Sequence, residues 1–190
     1  MILNNLQHNF KTLTMKTAKI LIAVITVAAF MCLSNAAQAQ AKKKANKQTY
    51  QWRYETQCMG IGVEGTKLIK VWSYSKNPTV AIAEAKKNAV HAMIFQGFTG
   101  NSQTGCSTQK PLTDNPGLEQ EKAQFFTDFF ADGGKYMKFV TLSGDGSVNP
   151  QDRVKVGNEY KIGIVVSVMY DQLRKDLEAA GIIKGLASGF

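Results

Sequence analysis

The chain has 190 residues, with 23 Lys and Arg against 14 Asp and Glu, two histidines, three cysteines and 44% hydrophobic residues. That length holds about one ordinary domain. The composition excludes both wholesale disorder and a disulfide-dense miniprotein.

Residues 1–41 read as a leader. Met15-Lys-Thr-Ala-Lys19 is positively charged, Ile20 to Leu33 is apolar, and Ser34 to Ala41 is a small-residue exit. Its two A-x-A frames are Ala37-Gln38-Ala39 and Ala39-Gln40-Ala41. This is the secretory signal pattern, and the run falls short of the roughly 20 apolar residues of a membrane-crossing helix. Residues 1–14 are then an extended n-region or the product of an upstream start codon. Cys32 follows Phe30-Met31 inside the apolar run; those bulky neighbours argue against lipid attachment. The expected address is a periplasm, an outer membrane or the cell exterior.

Removing the leader takes away three lysines and lowers the net charge from +9 to +6. Four of the remaining charges are Lys42, Lys43, Lys44 and Lys47, in a linker over residues 42–48. From residue 48 onward the chain carries 16 basic and 14 acidic residues. The basicity therefore belongs to leader and linker, whereas a nucleic-acid reader carries its charge on the folded body. A solvated linker is the expectation, and peripheral contact of its lysines with acidic lipid headgroups or anionic glycan is the alternative.

One domain is expected over residues 49–183, followed by a tail over 184–190. Tyr50 to Cys58 alternates, with Tyr50, Trp52, Tyr54, Thr56 and Cys58 on one face, as a half-buried strand does. Gly60 to Gly65 reads as a reversal into a second strand over Thr66 to Tyr74, so a hairpin is the economical inference. Asn77-Pro78 is a cap followed by proline, opening a helix over Thr79 to Gln96 with Ala81, Ala85, Ala89 and Ala92 at helical spacing.

Residues 99–116 are a polar loop containing Cys106, closed by a second cap-and-proline signature at Asp114-Asn115-Pro116. A second helix is expected to carry Glu119 and Glu121 in its first turn, with Leu118, Phe125, Phe126, Phe129 and Phe130 on its apolar side. Gly133-Gly134 would stop it. Tyr136 to Leu142 reads as a third strand. Val154 and Val156 lead through Gly157-Asn158 into the strongest strand, where Tyr160, Ile162, Ile164, Val166, Val168 and Tyr170 share a face. Asp171 is expected to cap a last helix carrying Leu173, Leu177 and Ala180. The order β-β-α-α-β-β-α predicts an α+β fold, an antiparallel sheet of about four strands with helices packed on one face.

Most chemistries lack parts. Past residue 41 the chain holds a single histidine, His91, so paired-histidine metal sites are excluded and no metal or cofactor is expected. No nucleophile elbow, phosphate loop or H-E-x-x-H occurs. Gly60-Ile-Gly-Val-Glu-Gly65 matches G-x-G-x-x-G but runs into a strand rather than opening a helix, so no dinucleotide cradle forms. Asp145, Asn149 and Asp152 vaguely follow a calcium loop that lacks its closing glutamate.

Cys58 and Cys106 remain after trimming, and an oxidising compartment predicts that they pair. That bridge would close a loop of about 48 residues, contributing roughly 4 kcal/mol in the chain-entropy picture. The leading expectation is a non-catalytic interaction module that contacts another envelope protein. Its candidate surfaces are the exposed part of the Phe125, Phe126, Phe129, Phe130 cluster and the loop around Cys106. The alternative is a glycan or small-ligand binder using Trp52, Tyr54, Trp72 and Tyr74 as a stacking platform. A third reading, a hydrolase, requires His91 beside an acid and a nucleophile in a pocket.

From Cys58 to Gly181 the chain resembles small envelope domains of certain bacterial lipoproteins and of the N-terminal part of the flagellar assembly protein T. The likeness rests on a glycine-containing strand entering the Ala81-x-x-x-Ala85-x-x-x-Ala89 helix. It rests also on the Tyr160 to Val166 strand entering a helix with Leu173 and Leu177. This chain departs by lacking a lipid-attachment cysteine and by inserting the cysteine-bearing loop. The resemblance implies a non-catalytic envelope module and carries over no functional residues.

Overall fold

The computed structural model describes residues 52–185, so the leader, the linker lysines 42–47 and the end of the tail, 186–190, lie outside the described residues. The fold is α+β, an antiparallel sheet with helices against one face. The elements are β1 (Tyr54–Ile61), β2 (Lys67–Ser75), α1 (Pro78–Phe95), α2 (Leu118–Glu121), α3 (Ala123–Phe129), β3 (Val140–Leu142), β4 (Arg153–Val156), β5 (Glu159–Val168) and α4 (Tyr170–Ala179). The sheet runs β1-β2-β5, and the far edge of β5 is shared by β3 and β4. β3 pairs with its C-terminal end and β4 with its N-terminal half, both antiparallel.

The register follows the hydrophobic alternation. Cys58 lies opposite Ile69, Val71 opposite Ile164 and Ile69 opposite Val166, all buried on the inner face. α1 covers that face. Asn77 accepts a hydrogen bond from the Thr79 backbone at 2.9 Å and Pro78 opens the first turn, as the cap-and-proline pair predicts. Ala81, Ala85, Ala89 and Ala92 are fully buried; no long side chain holds that stripe away from its neighbours. α1 has buried residues on every side, because its other flank meets the Phe126 and Phe130 rings through Phe95 and His91. The buried Asn88 amide donates to the Ser73 hydroxyl at 2.9 Å, so polar groups inside this layer are satisfied.

Four expectations are corrected. The second helix breaks at Lys122, whose backbone (φ −113°, ψ 33°) leaves the helical region and separates α2 from α3. The third strand begins only at Val140. Lys135–Phe139 is a 3-10 turn, and its i, i+3 spacing turns both Tyr136 and Phe139 inward. A strand would have sent one of them outward. Val154 and Val156 form a strand of their own, β4, with both side chains exposed. Asp171 is not the cap of α4. Met169 is, because β5 runs almost directly into the helix, and Asp171 sits in the first turn with its N–H donating to Gly65.

The outer sheet face carries no helix and is covered by its own side chains. Trp72 lies over Gly163, where an added Cβ would come within 3.0 Å of the ring, so only glycine admits this approach. The Lys161 and Lys70 ammoniums lie 5.1 and 5.5 Å from the Trp72 centroid, and the Arg53 guanidinium lies 4.3 Å from that of Tyr74. Each cation has an acid: Lys161 with Glu55 at 2.7 Å, Lys70 with Asp152 at 2.8 Å and Arg53 with Glu159 at 2.7 Å. Long aliphatic stems over aromatic rings leave Trp72 and Tyr74 half-buried while the charges remain paired.

Candidate functional site

The phenylalanine cluster is core. Phe126, Phe129 and Phe130 are 3 to 5% exposed and Phe125 is half-buried. Their rings stack on one another and on Phe95, Phe139 and Tyr136. The break at Lys122 and the turn at Lys135–Phe139 fold Phe126, Phe129 and Phe130 over α1, leaving only Phe125 of the four partly exposed.

The four-ring platform is likewise divided. Tyr54 pairs in register with the inward Ser73 and packs toward α1, while Trp72 and Tyr74 belong to the outer face. Trp52 precedes β1 with φ 45° and stacks on the His91 ring, centroids 3.7 Å apart. Two aromatics are therefore held under the helix layer and two lie beneath cations on the far side of the sheet. No common platform exists.

The inner pair joins a polar cluster. The Tyr54 hydroxyl is 2.6 Å from His91 Nδ1, His91 Nε2 is 3.4 Å from a Glu119 oxygen, and the Trp52 indole N–H donates to the other Glu119 oxygen at 2.8 Å. The neutral imidazole satisfies the whole chain: Tyr54 O–H donates to Nδ1 and Nε2–H donates to Glu119. Burial pushes the His91 pKa down to about 3, outweighing the nearby carboxylate. Burial, reinforced by Glu119, also raises the Tyr54 hydroxyl well above the usual phenolic range. The triad-like set is thus satisfied inside the protein, with Trp52, Phe95 and Phe130 packed against the imidazole. The cleft between residues 109–115 and α4 is lined by none of these side chains.

Cys58 and Cys106 form a disulfide, with their Cα atoms 6.2 Å apart. Both are buried and join the edge of β1 to the polar loop. Beside the bridge the hairpin tip holds Ile61 and Val63 at 83 and 81% exposure. The tip is fixed on three sides. The disulfide holds β1; Thr66 donates through its N–H and its hydroxyl to the Val63 carbonyl; Asp171 N–H donates to Gly65. Ile61 faces Gly105, in the turn that precedes Cys106. No acidic or basic residue occurs between His91 and Lys110, so the loop that Ile61 faces is uncharged, while the exposed Glu64 stands next to Val63 on the tip. In the sequence Ile61 and Val63 read as part of a glycine-rich reversal. The available signal was two large aliphatic residues placed singly among three glycines, where neither helix nor strand could bury them.

No known family model, curated protein or solved structure matches the chain. Among the described residues no helix is long and apolar enough to cross a membrane, and no group of three or more His, Cys, Asp or Glu is placed to hold a metal ion.

Proposed function

We propose that this chain is an exported, non-catalytic cell-envelope module that grips another envelope protein through the disulfide-braced corner at Ile61, Val63 and the Cys106 loop. The observation that carries this reading is the rigid display of two aliphatic side chains, each more than 80% exposed, beside an uncharged polar loop. A protein interface has that anatomy: an apolar centre, a polar rim and few charges at its core. A tip held by a disulfide and backbone hydrogen bonds loses little freedom on binding. The bridge suits an oxidising compartment, in keeping with the leader pattern. Burial and full satisfaction of the His91 cluster support the absence of catalysis.

The test is site-specific photocrosslinking in intact cells. A photoreactive side chain at Val63 is expected to yield a discrete protein adduct that disappears with Ile61→Ser, while the same group at the exposed Lys155 yields none. Equal adducts at both positions, or none at Val63, would remove the assignment. Mass spectrometry of the product tests export separately; the expected N-terminus is Gln40 or Lys42.

A further inference from the structure

A concave feature lies on the side of the fold where α4 meets the end of the polar loop. Residues 109–115 are pinned to the last turn of α1, since Leu112 N–H donates to the Met93 carbonyl and Thr113 N–H to that of Ile94. The Gln109 side-chain amide donates to the Tyr170 hydroxyl at 2.8 Å and ties the same segment to the first turn of α4. Between this segment, α4 and residues 182–185 opens a cleft of about 660 Å³. That size suits a small-molecule ligand.

The lining has two chemistries. Leu112, Leu118 and Ile183 are buried and, with the partly buried Ile182, give the cleft an apolar base. The ionisable side chains are Lys110, Arg174 and Lys184 against a single acid, Asp114. The Arg174 side chain is 23% exposed and is held by Glu178 at 3.3 Å and by the Tyr170 side chain, and the five donors of its planar fork exceed what these two partners take up. A purely apolar guest would leave this positive rim unanswered, and a small bare anion would leave the apolar base wet. A molecule carrying both parts answers both.

We propose that this cleft binds a fatty-acid-like monocarboxylate, with Arg174 taking the carboxylate and the Leu112, Leu118, Ile182 and Ile183 side chains receiving the hydrocarbon. The site is independent of the corner assigned above. Calorimetric titration of the full mature chain with dodecanoate, below its micelle concentration at neutral pH, is the test. Saturable binding is expected with Kd of about 100 μM or tighter, and dodecanol and dodecyltrimethylammonium should bind at least about tenfold more weakly. Arg174→Gln should weaken dodecanoate about tenfold while the melting temperature stays put. If Arg174→Gln melts early, the double variant Lys110→Gln, Lys184→Gln keeps the question open to measurement and should weaken binding roughly threefold. Absence of saturable heat, equal affinity for the uncharged or cationic analogue, or full affinity in a folded variant would each overturn the assignment.

Discussion

Two regions of this molecule reverse the roles their residues suggest. The cluster of Trp52, Tyr54, His91 and Glu119 holds the groups from which active sites are built, yet its hydrogen bonds close on one another beneath packed rings. The corner of Ile61, Val63 and Cys106 holds residues that ordinarily make a core, yet its aliphatic side chains stand in water. Reactive side chains make a site only where a ligand can reach them, and apolar side chains make a core only where something covers them. The first region is framework and the second is surface, so substitutions should separate them cleanly.

The largest expected effect lies inside. Phe126→Ala should lower stability by about 3–5 kcal/mol in denaturant titration, because the ring is nearly fully buried against the four rings of Phe95, Phe125, Phe129 and Phe130. A loss below about 1 kcal/mol would mean that the aromatic layer is loosely packed. Replacing Cys58 and Cys106 together by Ser should cost about 2–4 kcal/mol, and reductant should reproduce the loss in the native chain. An unchanged denaturation midpoint would show that the bridge constrains neither state.

The His91 cluster sharpens the comparison through pH. The folded-state pKa is about 3, below the unfolded value of roughly 6.5, so unfolding takes up a proton between these limits. The stability contribution is complete above pH 6.5 and is lost as pH falls toward 3, with a slope of at most about 1.4 kcal/mol per pH unit. His91→Gln should flatten that limb. If the slope persists in the variant, another group sets it. The smallest expected effect belongs to the corner. Ile61→Ser and Val63→Ser should each change stability by no more than about 0.5 kcal/mol, and Ile61→Ser should abolish the Val63 adduct. Marked destabilisation by either would make the tip structural.

The elements themselves were largely legible from sequence. The alternation of β1 and β5 and the Asn77-Pro78 cap of α1 report local geometry, and local geometry is what periodicity and caps encode. The misses came where a distant segment reset it. Tyr136 and Phe139 read as strand until the need to bury both imposed a 3-10 turn, and the Phe125 to Phe130 run read as one helix face until Lys122 interrupted it. Trp72 and Tyr74 read as a platform with Trp52 and Tyr54 because nothing nearby in sequence announces that Lys161 and Arg53, from other segments, lie over them.

The candidate site divided the same way. Pairing of Cys58 with Cys106 was foreseeable from their number and the expectation of an oxidising compartment, whereas the exposure of Ile61 and Val63 was not. By itself the sequence determined the α+β class, the capped central helix and the single bridge, because each depends on neighbours along the chain or on a count. Tertiary structure alone decided which aromatic rings are covered and which aliphatic side chains are not. Burial depends on whichever surface arrives from elsewhere in the chain, and no local pattern specifies that arrival.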